Sequence, residues 1–113
     1  MANAYLEKLF GLNGQTAVVI GGTGVLGGAL CDAIAQAGAF VVVAGTNEEA
    51  GAERVAAIKK LGGQAVFLAV DASARSSIEQ LLTETLKLRP RVDILVNCAG
   101  VNSASSYADI KDD

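Results

Sequence analysis

A chain of 113 residues is sized for one domain, and its make-up, 51% hydrophobic but only 4% aromatic, calls for an aliphatic, alanine-rich core. The net charge of −3 offers no basic surface for nucleic acid. There is no histidine, and the two cysteines, Cys31 and Cys98, form no CxxC, which argues against a zinc site, a disulfide framework and Ser-His-Asp or Cys-His catalysis, and suits a reducing cytoplasm.

Met1–Phe10 mixes polar and apolar residues, with Glu7 and Lys8 inside it, and carries no secretory pattern. Tyr5–Leu12 reads as a lead-in with Leu6, Leu9, Phe10 and Leu12 as its apolar residues, and Asn13-Gly14 reads as a turn. The β-branched run that follows predicts strand one over Thr16–Ile20. It stops at glycines. Gly21, Gly24 and Gly27 are spaced three apart, with Gly22 and Gly28 beside them. A helix starts just after, with Leu26, Leu30, Ala33, Ile34 and Ala37 expected on its buried face and Gly38 as its C′ residue. From Thr16 to Gly45 the only charged residue is Asp32, yet the run is not a membrane span: glycines interrupt it and no basic residues flank it.

Strand two is expected over Phe40–Ala44, apolar throughout, as befits a strand covered on both faces. Thr46 or Asn47 caps the next helix, with Glu48 and Glu49 in its first turn where the dipole favours them. Val55, Ile58 and Leu61 form its predicted buried stripe, and Gly62-Gly63 ends it. Strand three is expected over Ala65–Val70, and Asp71-Ala72-Ser73 leads into a helix packed through Ile78, Leu81, Leu82, Thr85 and Leu86. Ser76 and Glu79 have the spacing of a capping box, and Pro90 closes the helix. Strand four is expected over Val92–Val96, and the polar tail Asn97–Asp113 shows no period.

The order β-α-β-α-β-α-β, with short connections and right-handed crossovers, predicts a Rossmann-type α/β fold: a doubly wound parallel sheet of four strands in the order 3-2-1-4. Strands one and four then send their connections in opposite directions, and a crevice opens at their carboxyl ends. Gly21-Gly22, Gly45-Thr46, Asp71 and Asn97-Cys98-Ala99-Gly100 stand at the four strand ends, most of them small enough to admit an extended ligand.

A strand, a glycine turn and a helix N-terminus together suit a dinucleotide pyrophosphate, bound by free main-chain amides and the positive end of the helix dipole. The residues expected at such a site are Gly21, Thr23, Gly24, Val25, Leu26 and Gly27. A Walker A loop would need Lys-Ser/Thr after the last glycine, and Gly28-Ala29-Leu30 supplies none. At the end of strand two, Gly45, Thr46 and Asn47 stand where an acid would accept both ribose hydroxyls of NAD. Its absence leaves room for a 2′-phosphate and tips the expectation towards NADP, although no Arg or Lys stands there and Glu48 and Glu49 are close in sequence. Asp71, followed by Ala72, could accept from the adenine amino group or form an Asx turn. Ala99 and Gly100 would let a ribose lie against the backbone, and Asn97 could tie neighbouring strand ends together. Cys98 reads as a packed thiol, with nothing nearby to activate it.

In this order the features resemble the short-chain dehydrogenase/reductase family from Phe10 to about Val101. GGTGVLG at Gly21–Gly27, VDAS at Val70–Ser73 and DILVNCAG at Asp93–Gly100 carry the likeness, the last being similar to the family's NNAG element with Cys98 in place of its second Asn. Ile20 stands where the family usually has Thr, and Thr46 where NADP-using members often have Arg. The resemblance implies an NAD(P)-dependent oxidoreductase working on an alcohol/carbonyl pair, in the cytoplasm and as a homo-oligomer. It also implies a catalytic Ser, a Tyr-x-x-x-Lys pair and an Asn, all beyond strand four, in chains roughly twice this length. Tyr107-x-x-x-Lys111 imitates that pair, but it stands too soon after Gly100, among Asp109, Asp112 and Asp113, with no Ser at the matching distance. Residues 1–113 are therefore expected to form a single NAD(P)-binding domain cut before the catalytic segment. The alternative is a non-catalytic dinucleotide-binding or sensing protein on the same fold.

Overall fold

The computed structural model describes residues 3–99. Eight elements follow one another: α1 (Ala4–Phe10), β1 (Thr16–Ile20), α2 (Val25–Gln36), β2 (Phe40–Gly45), α3 (Glu48–Lys60), β3 (Gln64–Ala69), α4 (Arg75–Leu88) and β4 (Ile94–Asn97). The four strands form one parallel sheet in the order β3-β2-β1-β4. This is the expected doubly wound α/β arrangement. Register sets Ile20 opposite Ala44 on one side and Asn97 on the other, so the ends of β1, β2 and β4 lie level.

Alternation along the strands divides the core between the sheet's two faces. Val19, Val41, Val43 and Ala65 pack with Cys31 and Ala35 of α2 and Ile58 of α3. Val18, Ile20, Val42 and Ala44 pack on the other face with Val70 and Leu81 of α4. Every residue of β1 is buried, as central strands of a parallel sheet must be.

Several local expectations change. The lead-in is a helix, α1, capped by Asn3, whose Oδ1 accepts from the Tyr5 and Leu6 amides at 2.9 and 3.4 Å; none of its residues is buried. The buried face of α2 is Gly27, Gly28, Cys31 and Ala35, while Leu26 is 68% exposed. A Cβ on Gly27 would run into the turn after β1 and one on Gly28 into the Arg54 side chain of α3, so neither position has room for a side chain. In α3, Ile58 is buried but Leu61 is exposed, because the chain has already left the helix there. No capping box forms at α4: its N-cap is Ala74, and Glu79 pairs instead with Arg75 at 3.3 Å. Only Leu81 and Thr85 of α4 are buried, because among the described residues one helix covers this face where two cover the other. Ile78 and Leu82 border an open apolar groove of about 310 Å³ shared with Val18, Ile20, Val92 and Leu95. β3 and β4 are each offset from the expected span, running Gln64–Ala69 and Ile94–Asn97, while β2 extends to Gly45.

The helix ends follow local chemistry. Gly38 has φ +111°, and the Gly38 and Ala39 amides donate to Ala35 and Ile34 carbonyls at 3.0 and 3.3 Å, a Schellman closure of α2. At the sheet's other end, the Thr16 amide donates to Asp93 Oδ2 at 2.8 Å, and Asp93 Oδ1 accepts from Arg91 Nε at 2.6 Å. That hydrogen bond holds the Asp93 carboxyl below the usual carboxylate range; burial opposes the shift and Arg91 adds to it. The only charge in the Thr16–Gly45 run, Asp32, meets Arg54 of α3 at 2.7 Å and links the two helices.

Candidate dinucleotide cleft

The level carboxyl ends of the strands leave a cleft of about 680 Å³. Its floor is the turn after β1. Gly21 has φ +85°, a conformation that side-chain-bearing residues rarely adopt, and a Cβ there would lie 2.8 Å from the Ala99 nitrogen. Its amide donates to the Ala44 carbonyl at 2.8 Å, as does that of Gly22 at 3.1 Å, and the Cys98 amide donates to Ile20 O at 2.7 Å. The turn is thus tied to β2, and the end of β1 to the segment after β4.

Gly24 is the N-cap of α2, with φ −81° and ψ 177°, and no side chain caps the helix. The first backbone amide to bond within the helix is that of Gly28, to Gly24 O at 2.8 Å. Among the described residues the amides of Val25, Leu26 and Gly27 therefore begin the helix unpaired, with the positive end of its dipole behind them. A Cβ on Gly24 would meet only Gly21 O, at an ordinary 3.4 Å, so neither packing nor backbone angle calls for glycine here. Gly27 is the opposite case: a Cβ would run into the Gly21 carbonyl. Its role is close packing of helix on turn.

Asp71 lies at the rim. Its Oδ1 accepts from the Ser73 amide at 3.0 Å and from Ser73 Oγ at 2.6 Å, an Asx turn, while its own amide donates to Ser77 Oγ at 2.8 Å. The Ser73 hydroxyl, then the Ser73 amide, hold the carboxyl below its ordinary pKa. The second carboxylate oxygen has no hydrogen-bond partner among the described residues and remains available as an acceptor.

Gly21, Thr23, Gly24, Thr46, Asp71, Ala72, Asn97 and Ala99, all expected at the site, line this one cleft, and Gly45 lines a small pocket adjoining it. Val25, Leu26 and Gly27, also expected at the site, do not line the cleft: Val25 stands 94% exposed and Leu26 68% exposed at the helix start beside it, and Gly27 is buried. Asn47 is committed to the α3 cap, its Oδ1 accepting from the Ala50 amide at 3.0 Å. The Asn97 side chain does not tie neighbouring strands: Oδ1 accepts from the Ala99 amide at 3.2 Å, folding back on its own segment. Gly100, Tyr107 and Lys111 lie outside the described residues. Ser73 and Cys98 also line the cleft, beyond the residues expected from sequence. For Ser73 the Asp-x-Ser spacing of an Asx turn was the available clue. Cys31, beneath the turn, is buried, which pushes its thiol up to about 11. Among the described residues no group of His, Cys, Asp and Glu is gathered that could hold a metal ion, and no helix is long and apolar enough to cross a membrane.

The short chain dehydrogenase family matches the chain over residues 15–113. An uncharacterized oxidoreductase of Thermotoga maritima is 36% identical over 95 residues, which is 84% of this chain and 37% of that protein. Among solved structures, a dehydrogenase/reductase from Sinorhizobium meliloti superposes with TM-score 0.85 at 31% identity, covering 96% of this chain and 44% of that one. A 3-oxoacyl (acyl-carrier-protein) reductase from Agrobacterium tumefaciens, solved with NADP bound, gives TM-score 0.81 at 33% identity, covering 94% of this chain and 41% of that one. The chain thus spans about two fifths of the length of the proteins it matches. Fold, cleft and sequence agree, and the chain belongs to the short-chain dehydrogenase family.

Proposed function

We propose that residues 1–113 form the NAD(P)-binding domain of an oxidoreductase that transfers hydride between a nicotinamide cofactor and an alcohol/carbonyl substrate. The carrying observation is Gly24: a glycine at an ordinary backbone angle, with room for a Cβ, heading an uncapped helix at the cleft. A ligand that must touch the main chain there gives the glycine a purpose that the protein's own packing does not. The cleft's volume of about 680 Å³ suits a dinucleotide rather than a single phosphate.

In this reading the Val25, Leu26 and Gly27 amides hold the pyrophosphate, and Thr23, Gly45, Thr46 and Asn47 surround the adenosine ribose. Asp71 and Ala72 meet the adenine, and Asn97, Ala99 and Gly100 support the second ribose. When bound, the cofactor supplies the hydride donor or acceptor. The residues of this chain bind it and orient it. NADP is favoured over NAD by the lack of a carboxylate at Gly45, and the NADP-bound reductase from Agrobacterium tumefaciens is in keeping with that preference. The names of the relatives as oxidoreductases and reductases favour an enzyme over a binding-only protein. Two free thiols are consistent with a cytoplasmic setting.

Calorimetric titration with NADPH and NADH tests the reading. Saturable one-to-one binding of at least one of them is expected, and binding of neither would refute it.

A further inference from the structure

At the end of β2, where a carboxylate would read the ribose hydroxyls of an adenine dinucleotide, stands Gly45. Its backbone does not require glycine, since its φ is outside the left-handed region. What bars a side chain is Thr23, from the turn after β1. A Cβ on Gly45 would lie 2.9 Å from Thr23 Oγ1, 3.2 Å from its Cγ2 and 3.6 Å from its Cβ. Both branches of Thr23 face the position, so every staggered χ1 leaves at least one of them pointing at it. The two residues share a pocket of about 120 Å³ whose walls include Ile20, Thr46, Val70 and Ala72, and among the described residues no charged side chain lines it. The side-chain Oδ1 of Asn47, a possible substitute acceptor for ribose, is occupied by the Ala50 amide.

We propose that Thr23 is a specificity-determining residue of the cleft: by filling the space over Gly45 it keeps a carboxylate from the adenosine ribose, so that a 2′-phosphate is admitted. This rests on the dinucleotide reading above and adds the residue that decides between the two dinucleotides. A carboxylate at position 45 would both accept from a free ribose diol and repel a 2′-phosphate, and it can enter only if Thr23 gives way.

The test is a double-mutant cycle on the full chain, with NADH and NADPH as calorimetric titrants. Gly45→Asp alone is expected to weaken both dinucleotides at least about tenfold, because the displaced Thr23 closes the ribose pocket. With Thr23→Gly in the same chain, Gly45→Asp is expected to restore NADH to within about threefold of the unmodified chain and to leave NADPH at least about tenfold weaker. Equal effects of Gly45→Asp with and without Thr23 would overturn the proposal. Should Gly45→Asp alone not fold, as judged by circular dichroism, Gly45→Ala adds the Cβ by itself. It must then weaken binding when Thr23 is present and lose that effect in the Thr23→Gly chain; additivity overturns the proposal. An unmodified chain that binds neither dinucleotide would overturn the dinucleotide reading itself, a result distinct from additivity in a chain that binds.

Discussion

Gly24→Val separates a glycine kept for a ligand from one kept for the fold. The substitution is sterically mild in the protein. Gly24 is exposed, its φ of −81° and ψ of 177° suit valine, and the new Cβ would meet only Gly21 O at 3.4 Å. Two small stability effects oppose each other. Loss of unfolded-chain freedom stabilises by about 0.4–1 kcal/mol. A β-branched aliphatic residue is a poor N-cap and costs a comparable amount, on the order of 1 kcal/mol. The net change in melting temperature should therefore lie within about 5 °C. Binding is another matter. The valine γ carbons would stand over the free amides at the start of α2 and hold an anion off the main chain. Dinucleotide affinity should fall at least about tenfold, which is about 1.4 kcal/mol. Titration with NADPH and NADH, paired with a thermal melt by circular dichroism, reads both quantities. Unchanged affinity in a folded variant would show that this corner does not touch the ligand. Global unfolding would show that Gly24 is structural after all.

Three further outcomes are expected. Ile58→Ala, on the buried face of α3, should cost about 2–5 kcal/mol in urea unfolding, and a cost below about 1 kcal/mol would contradict the packing described. Gly51→Ala would ordinarily gain about 1 kcal/mol of helix propensity. Here the Cβ would meet the Phe67 ring, and overpacking of about 1–3 kcal/mol should make the variant no more stable than the original; a clear gain in urea midpoint would refute the contact. The Asp93 carboxyl, whose folded pKa lies below its unfolded value of about 3.9, contributes stability that is fully present above that value and is lost as pH falls through the lowered pKa. The difference in urea midpoint between the unmodified chain and Asp93→Asn should hold steady from about pH 7 to 5 and shrink below about pH 4. A difference that stays constant down to about pH 2.5 would show that the carboxylate is not engaged.

Whatever neighbours along the chain decide was legible from the residues alone. β-branched runs, the glycines after β1, a cap at Thr46 or Asn47 and the stops at Gly38 and Gly62 each act through hydrogen bonds or sterics within a few residues, and the alternation of elements then admits one economical sheet order. Most of the cleft was legible for the same reason, since strand ends gather in such a sheet wherever it is built. Tertiary structure decided whatever depends on how closely distant segments approach. The apolar spacing of α2 pointed to Leu26 and Leu30, yet its buried residues are Gly27, against the turn, Gly28, against Arg54 of α3, and Cys31 and Ala35 in the core. Leu61 and the outer residues of α4 fit a buried pattern and are exposed because no element lies over them in the described structure. The Thr16–Asp93 hydrogen bond, the Asp32–Arg54 pair and the contact of Thr23 with Gly45 join residues far apart in sequence. Periodicity records which positions are apolar, but the separation between two packed elements is a property of both, and it decides which side chain fits between them.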